Sequence, residues 1–395
     1  MISVEEALAF VLAQKQDFGT EQVPLLQATG RVLAQQVKAD RDLPPFDRVM
    51  MDGIAFLFSA FEAGQRTFRI AGIQPAGAPQ LQLQDQQACL EVMTGAMLPQ
   101  GADVVAPYEA CTLTEGEATV NLATLQRYQH VHRQAIDSSA GDVLLQPGER
   151  ITPAHVSILA SVGLAQVQVR RLPKVAVFST GDELVEVTQQ PEPHQIRKSN
   201  VYMLAAALLA DGLSADLFHL PDEPDAMAEQ VTAALATYDV LLFSGAVSKG
   251  KYDFLPEVLA QAGMRQVFHK VAQKPGKPFL FGTFPAGALA FGFPGNPVSS
   301  FVCFHIFFRP WLYASLGLRP DTRLVRLKQD VAFAPDLTYH VPVQLQYEAS
   351  CAEATPITGS GSGDLTSILH ATAIMTLPPD RKQYTAGECF PATLL

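Results

Sequence analysis

The stretch Val175-Ala-Val-Phe-Ser-Thr-Gly-Asp-Glu-Leu184 sets the fold class of this chain. Its first four residues form a short apolar run of the kind that lies buried in a parallel sheet, and glycine and polar residues follow at once. The same order repeats downstream. Further strands are predicted near 217–220 and 240–243, and helices around 199–209, 224–236 and 254–262. Strands that alternate with helices predict an α/β unit with a mostly parallel sheet and helices on both faces.

Two loops bracketed by prolines come next, Lys274-Pro-Gly-Lys-Pro278 and Pro294-Gly-Asn-Pro297. Each follows a β-prone run, at 265–271 and 288–293, and a long helix is predicted from about Pro297. Proline fixes φ and has no N–H, so both loops are stiff, while their glycines let the backbone approach a ligand. One such loop is usually an ordinary turn with solvated side chains. Two in one region, with Lys274 and Lys277 in the first, indicate a site for an oxyanion or a phosphate.

Acidic residues follow the predicted strands: Glu183 after the first, Asp222 after the second and Asp253 after the third. Because ligands bind outside the carboxyl ends of parallel strands, we expect these acids to lie with the lysines along one edge. Carboxylates beside phosphate oxygens suit Mg²⁺. Helix capping is the alternative for Asp182, Asp222 and Asp253, since loop aspartates often cap the next helix. The turn Ser244-Gly-Ala-Val-Ser248 resembles a phosphate-binding turn but is weak evidence alone.

Composition excludes several classes of protein. Of the 395 residues 48% are hydrophobic and 17% charged, as in a globular protein, and the formal net charge of −11 argues against nucleic-acid binding. Five scattered cysteines without metal-ligand spacing are typical of reduced thiols in the cytoplasm. The first residues lack the basic region of a signal peptide, and the most apolar stretch, 301–312, is too short to span a membrane. The chain has no Walker P-loop and no His-Glu-x-x-His motif.

The regions before and after this α/β unit show other sequence patterns. Ser3 and Glu6 form a capping box ahead of a helical stripe that ends near Leu12, and a second helix is predicted at 28–34. Residues 68–169 alternate in short runs typical of β structure, with one helix at 152–160 that Thr152 caps. After Pro320 the alternation returns and predicts a small β-barrel or sandwich.

Taken in order, these motifs resemble those of the molybdopterin molybdenumtransferases, a family related to the C-terminal region of gephyrin. Beyond the loops already quoted, three segments carry the resemblance: Pro44-Pro-Phe-Asp-Arg-Val-Met-Met-Asp-Gly53, the turn at 93–99 and the segment 136–142. The matches span roughly residues 1–380. The resemblance implies an N-terminal helical/β domain (1–40 plus 140–172) and an elongated β-rich insertion (41–139). It also implies a central α/β molybdopterin-binding domain (173–318) and a C-terminal β-barrel (319–395).

The resemblance further implies a homodimer and a reaction. Members insert molybdate into the dithiolene of adenylylated molybdopterin, with Mg²⁺-dependent release of AMP, in a cleft between the α/β domain of one subunit and the insertion of the other. A molybdopterin adenylyltransferase and molybdoenzyme apoproteins are the expected partners, with no nucleic acid and no membrane. Two other functions stay open: an adenylyltransferase that shares the α/β domain, and a molybdopterin-binding or storage module without catalysis.

Residue by residue, the resemblance assigns Glu183, Asp222 and Asp253 to catalysis and to the metal, and Lys274 and Lys277 to the oxyanion. Further cofactor-binding positions follow from the same motifs: Asp52, Thr94, Asp137, Thr180, Gly181, Ser244, Gly245, Ser248, Pro294, Pro297, Ser299 and Ser367. The chain departs from the family pattern twice. Ala246 replaces a usual second glycine, and Val341 stands where an arginine often follows an aromatic-x pair.

Overall fold

The computed structural model describes residues 1–247, 253–347 and 352–395, and these form two compact units. The first unit comprises Met1–Val23, Gly30–Val32 and Gln168–Leu395, and the second Pro24–Thr29 and Leu33–Val167. The multidomain α/β class predicted from the sequence is confirmed, while the predicted domain boundaries stay predictions. Within the described ranges, no helix has both the length and the apolar character that a membrane span requires.

A six-stranded sheet forms the centre of the first unit. Its strands lie in the order Ala215–Leu220, Val175–Thr180, Val240–Ser244, Leu289–Phe293, Leu280–Thr283 and Arg265–His269. The first four are parallel, and the last two add an antiparallel hairpin. The hairpin strand Leu280–Thr283 was not predicted from the sequence. Since both of its neighbours run antiparallel to it, Arg265–His269 points the same way as the parallel strands, and its following loop reaches the same edge.

Helices cover both faces of this sheet, because side chains in a strand alternate between faces. Val175, Val177, Val240 and Leu242 point into one buried cluster, and Ala176, Phe178, Leu241 and Phe243 point into the other. The helices of the first face are Val4–Leu12, Asn200–Ala210, Pro297–Cys303 and Arg309–Leu316, the last two joined by a π-helical turn at Phe304–Phe308. Those of the second face are Pro224–Leu235 and Leu255–Gln261.

A closed barrel of five strands follows the central sheet. The strands are Thr322–Leu327, Thr338–Tyr347, Ala352–Pro356, Ala373–Leu377 and Cys389–Leu394. The barrel closes because Thr338–Tyr347 pairs with Ala352–Pro356 on one side and with Ala373–Leu377 on the other. The predicted choice between barrel and sandwich is thereby settled. A short strand of the central region, Gln273–Lys274, pairs in parallel with Thr338 and Tyr339 and so belongs to the barrel's sheet.

The first unit also contains several short elements. These are the paired strands Leu184–Val185 and Ile196–Arg197, the pair Val331–Ala332 and Gln383–Tyr384, and the 3₁₀ turn Leu365–Ile368. The strands Thr20–Pro24 and Gln166–Arg170 also pair with each other, and their residues up to Val23 and from Gln168 belong to this unit. The N-terminal helix begins as predicted, with Ser3 accepting from the Glu6 N–H and Glu6 from the Ser3 N–H. The helix predicted at 28–34 is wrong. Only a 3₁₀ turn, Leu25–Ala28, forms, because Thr29 is extended and Gly30 has a φ of 82°.

The second unit is built on another six-stranded sheet. Its strands lie in the order Val104–Pro107, Gly53–Phe56, Ala88–Val92, Thr67–Gln74, Glu117–Val120 and Cys111–Thr114. Smaller elements are the strand pairs Arg48–Val49 with Val131–His132 and Val37–Lys38 with Val143–Leu145, the helices Phe58–Glu62 and Pro153–Ser161, and the 3₁₀ turn Tyr108–Ala110. The predicted cap is confirmed, since the Thr152 side chain accepts from the His155 N–H.

Candidate active site

A cleft of about 810 Å³ opens at the carboxyl edge of the central sheet. Loops that follow the strands line it, as expected for an open α/β sheet. Lining residues that the sequence analysis singled out are Thr180, Gly181, Glu183, Asp222, Ser244, Gly245, Asp253, Lys274, Lys277, Pro294, Pro297 and Ser299. The structure therefore brings twelve separately predicted residues around one space. Ser248 lies outside the described residues.

The floor of the cleft is a close approach of two loops. The Thr180 hydroxyl donates to the Ser244 carbonyl oxygen at 3.3 Å, and the Gly245 N–H donates to the Phe293 carbonyl oxygen at 3.0 Å. Gly245 has a φ of 104°, and a Cβ there would lie 2.5 Å from the Thr180 hydroxyl oxygen. Only glycine fits this position, and its bare backbone faces the space where a ligand would sit.

Asn200, which the sequence analysis missed, ties this floor to the second proline loop. Its amide nitrogen donates to the Ser244 hydroxyl oxygen at 3.0 Å and to the Gly295 carbonyl oxygen at 2.6 Å. The same loop is held from below, because the Ser300 hydroxyl donates to the Pro294 carbonyl oxygen. Asn200 is the first residue of a helix, a position whose contacts the sequence does not reveal. The geometry assigns it the role of fixing the distance between two site loops.

Among the described residues, four cationic side chains line the cleft. Lys274 and Lys277 are exposed, and Lys274 also lies 5.7 Å from the centre of the Phe333 ring. Arg197 and Lys198 were not predicted, and Lys198 is buried and paired with Glu186. The sequence could have indicated them, because these two adjacent cations stand just before a helix that begins at the sheet edge. These cations give the cleft walls positive charge although the whole chain is acidic.

In the part of the chain that the structure describes, three carboxylates line the same cleft: Glu183, Asp222 and Asp253. The Asp222 N–H donates to the Asp182 carboxylate at 3.2 Å, which holds two of the acidic loops together. Partial burial raises the pKa of Asp222, and the negative charges of Asp182 and Glu183 raise it further. Crowded carboxylates of this kind become more stable when a cation binds among them.

Helix capping, the alternative for the aspartates, is wrong for Asp222. The N-cap of the helix Pro224–Leu235 is Glu223, and its side chain makes no capping hydrogen bond. The N-cap position of the helix Leu255–Gln261 is occupied by Phe254, so Asp253 does not hold it either. Asp222 and Asp253 both line the cleft.

The carboxylates fit a hard divalent cation only with help from a ligand. Among the described residues, no group of three or more His, Cys, Asp or Glu side chains is close enough to hold a metal ion. Mg²⁺ commonly takes one or two carboxylates together with phosphate oxygens and water, and the carboxylates on the walls of this cleft match that coordination. The donor set is therefore compatible with Mg²⁺ bound jointly by protein and substrate.

Two predicted serines of the first unit, Ser299 and Ser367, differ in their relation to the cleft. Ser299 is buried at 3% exposure near the start of the helix Pro297–Cys303 and lines the cleft. Ser367 is half-buried, and its hydroxyl donates to the Asp364 carbonyl oxygen at 2.7 Å. It is not a lining residue, whereas Ser362 and Leu365 of the same segment are. The Asn296 amide donates to the Ser362 hydroxyl oxygen at 2.8 Å, so this segment contacts the second proline loop.

The second unit holds the other three predicted positions. Asp52 accepts from the Thr94 N–H at 2.6 Å and from the Thr94 hydroxyl at 2.7 Å, and these bonds lower the pKa of Asp52. Asp137 lies 3.0 Å from the His132 ring nitrogen. All three predicted side chains are exposed. Asp52 and Thr94 form one exposed polar pair, and Asp137 forms another with His132.

The two departures from the family pattern have local structural settings. Ala246 has a φ of 54°, in the left-handed region that favours glycine, so its methyl group is held under strain. Val341 is 3% exposed and points into the apolar core of the barrel. An arginine with this orientation would bury an unpaired charge, and valine avoids that cost.

Known proteins and family models match this chain along nearly its whole length. Family models match the MoeA N-terminal region (domains I and II) over residues 2–163, a probable molybdopterin-binding domain over 176–314 and the MoeA C-terminal region (domain IV) over 325–395. A molybdopterin molybdenumtransferase from Synechocystis is 40% identical over 395 residues, covering 99% of each chain. One from Staphylococcus epidermidis is 29% identical and covers 98% of this chain and 94% of the relative.

A solved structure gives the same result. The molybdopterin biosynthesis MoeA protein from Pyrococcus horikoshii superposes with a TM-score of 0.81 at 30% identity, covering 100% of this chain and 99% of the other. The resemblance read from the ordered motifs is thereby confirmed. This chain belongs to the molybdopterin molybdenumtransferase family, enzymes of molybdenum cofactor biosynthesis.

Proposed function

We propose that this enzyme inserts molybdate into the dithiolene of adenylylated molybdopterin and releases AMP, with Mg²⁺ as the required cation. One observation carries the proposal: two lysines and three carboxylates from four separate loops line a single cleft of about 810 Å³. That volume is within the range of small-molecule sites and leaves room for a nucleotide-bearing ligand. An oxyanion and a pyrophosphate link require such a mixture of cations and metal-binding acids.

Lys274 and Lys277 hold the oxyanion, and their loop supports that role. Molybdate and the pyrophosphate link are both anions, and one pair of unit charges about 4 Å apart repels by about 4 kcal/mol at an effective dielectric near 20. The lysines are exposed, so solvent weakens each attraction below that figure. Their combined effect, together with the exposed Arg197, lets two anions occupy neighbouring places.

The backbone at the cleft floor receives the phosphates. Gly181 and Gly245 both have positive φ and present no side chain to the cleft. A Cβ on Gly181 would collide with the Glu183 carboxylate at 2.4 Å, so glycine here lets Glu183 fold back towards the loop. Thr180 and Ser244 are buried, and their mutual bond keeps the two backbone segments in register. Ser299, Pro294 and Pro297 complete the wall on the molybdate side.

Glu183, Asp222 and Asp253 would supply one or two carboxylate ligands to Mg²⁺, and phosphate oxygens of the substrate would supply the others. When bound, the ion neutralises charge on the pyrophosphate and on the departing AMP. The acids themselves keep the ion at the floor beside the glycine backbone. The nearby negative charges of Asp182 and Glu183, which help to raise the pKa of Asp222, also favour a cation beside its carboxylate.

The assembly and the partners are part of the same proposal. We expect a homodimer, to whose sites Asp52, Thr94 and Asp137 contribute. A molybdopterin adenylyltransferase supplies the substrate, and molybdoenzyme apoproteins receive the product.

The test is release of AMP from adenylylated molybdopterin, measured with and without Mg²⁺ while molybdate is titrated and then repeated with tungstate. Lys277→Ala is expected to abolish molybdate-dependent release while far-UV circular dichroism stays unchanged. Lys15→Ala is the matched control, since Lys15 is exposed and outside the cleft lining. Full turnover by Lys277→Ala would contradict the assignment. Tight binding of substrate without any AMP release by the wild type would instead identify a molybdopterin-binding module.

A further inference from the structure

A chain of buried polar side chains runs from the barrel to the lysine loop. The His340 Nδ1 lies 3.1 Å from the Thr376 hydroxyl oxygen, and its Nε2 lies 3.2 Å from the Gln273 side-chain oxygen. The Gln273 amide nitrogen lies 3.0 Å from the Gly276 carbonyl oxygen and 3.3 Å from the Cys303 sulfur. Gln273 is 0% exposed and His340 is 1% exposed. Polar groups buried this deeply are costly unless all of them are paired.

The direction of every bond in this chain is fixed by chemistry. A carbonyl oxygen only accepts, so the Gln273 nitrogen must face Gly276 and its oxygen must face His340. That oxygen needs a donor, so His340 carries its proton on Nε2. Nδ1 then accepts, and Thr376 donates to it. Because each hydrogen bond fixes the donor and acceptor roles in the next one, the network is compatible with a single arrangement of these side chains.

His340 stays neutral in this arrangement, because burial lowers its pKa to about 3. The described groups that face its ring nitrogens, Thr376 and Gln273, are uncharged. Cys303 completes the network, since its thiol lies 3.7 Å from the Gly276 carbonyl oxygen and burial raises its pKa. No member of the chain changes charge in the physiological range of pH.

The loop that the chain holds lies between the two lysines. Gly276 has a φ of 87°, and a Cβ there would lie 2.4 Å from the Cys303 sulfur and 2.9 Å from the Gln273 amide nitrogen. Inside the loop, the Val271 N–H donates to the Lys277 carbonyl oxygen at 3.0 Å. On the other side, Gln273 and Lys274 pair with the barrel strand at Thr338 and Tyr339.

We propose that Gln273 and His340 are positioning residues for oxyanion binding: the bonded chain from Thr376 to Gly276 fixes the loop that carries Lys274 and Lys277, and so sets the spacing of the two charges. This inference rests on the proposed function of those lysines. The barrel thereby contributes to the site through the hydrogen bond between His340 and Gln273. The two lysines are exposed and have long flexible stems, so their backbone must be rigid for their charges to converge.

The first test measures loop order without using activity. Amide hydrogen exchange is followed by mass spectrometry in the peptide 270–280 for the wild type, Gln273→Met and His340→Leu. Both variants keep the volume of the side chain but interrupt the hydrogen-bonded chain from Thr376 to Gly276, and we expect amide exchange in this peptide to rise about tenfold. His340→Gln retains an Nε2–H donor for Gln273 and should stay within about twofold of the wild type. Val343→Ala, a barrel-core change on the same strand, should leave this peptide unaffected.

The second test separates positioning from stability. In the AMP-release assay, Gln273→Met should raise the half-saturating molybdate concentration about tenfold, with His340→Gln close to wild type. Thr376→Val, which removes only the first donor, should raise it less, about threefold. Should either broken-chain variant fail to fold, the comparison of Thr376→Val with His340→Gln decides.

Unchanged exchange at 270–280 in both broken-chain variants would overturn the inference. Equal acceleration in Val343→Ala would also overturn it, because general loosening of the barrel would then explain the effect. If the wild type releases no AMP, the proposed function fails, while the exchange experiment still decides whether the chain orders the loop.

Discussion

Gly276→Ala tests how tightly the lysine loop is packed. The new methyl group would lie 2.4 Å from the Cys303 sulfur and 2.9 Å from the Gln273 amide nitrogen, and both partners are buried. Left-handed φ at a non-glycine residue costs about 1–2 kcal/mol, and a less flexible unfolded chain returns about 0.4–1 kcal/mol. Overpacking of a buried site adds about 1–3 kcal/mol. The free energy of unfolding should therefore fall by about 3 kcal/mol.

Gly263→Ala is the matched control. Gly263 has a similar φ of 92°, but nothing lies within 4 Å of a Cβ placed there. It therefore shows the backbone cost alone, about 1 kcal/mol or less. Urea unfolding followed by the fluorescence of Trp311, the single tryptophan and fully buried in the central core, measures both variants. Cys303→Ala added to Gly276→Ala should recover part of the loss. Equal losses in the two glycine variants would refute the packing argument.

Three further predictions follow from backbone strain and from pKa shifts. Ala246→Gly should raise the unfolding free energy by up to about 1 kcal/mol in the same urea assay, because it removes left-handed strain, and a decrease would show that this φ is not strained. His340 has its pKa lowered to about 3 when folded, so the unfolded chain binds the extra proton and stability falls as pH drops below about 6.5. His340→Gln should reduce the loss between pH 7 and 5 by about 2 kcal/mol in urea titrations, and an unaltered pH dependence would contradict this. Because the pKa of Asp222 is raised, its carboxylate takes up a proton at a higher pH than an ordinary aspartate does, so the half-saturating Mg²⁺ concentration for AMP release should rise towards low pH. Asp222→Asn should weaken Mg²⁺ binding at every pH and flatten that rise. An Asp222→Asn profile that matches the wild type would exclude the residue from the metal site.

The central sheet was predictable because its strands are short apolar runs ended by glycine, proline or polar residues. Val175–Thr180 and Val240–Ser244 are buried throughout, and such runs carry a clear signal even without alternation. The strand Leu280–Thr283 was missed because it directly follows the proline loop and is only four residues long. The helix at 28–34 was predicted from its apolar residues, but Gly30 with positive φ ends helical structure there.

The candidate site was partly predictable for a topological reason. In a parallel sheet, residues that follow different strands meet at one edge, so Glu183, Asp222 and Asp253 could be grouped without coordinates. Contacts between distant segments give no such pattern. Asn200 joins Ser244 and Gly295 across the fold, and its own neighbours in the sequence do not indicate this. The choice between capping and ligand binding for Asp222 also needed the geometry of the helix start.

The union of Gln273 with His340, 67 positions apart, has an evolutionary consequence. The His340 Nε2–H donates to the Gln273 side-chain oxygen, and because both residues are buried, water cannot replace either partner if the other is substituted. Substitutions at these two sites should therefore occur jointly across related sequences. A chimera that grafts a foreign barrel onto this catalytic core would inherit a mismatched junction unless the grafted piece supplies an equivalent donor at the position of His340.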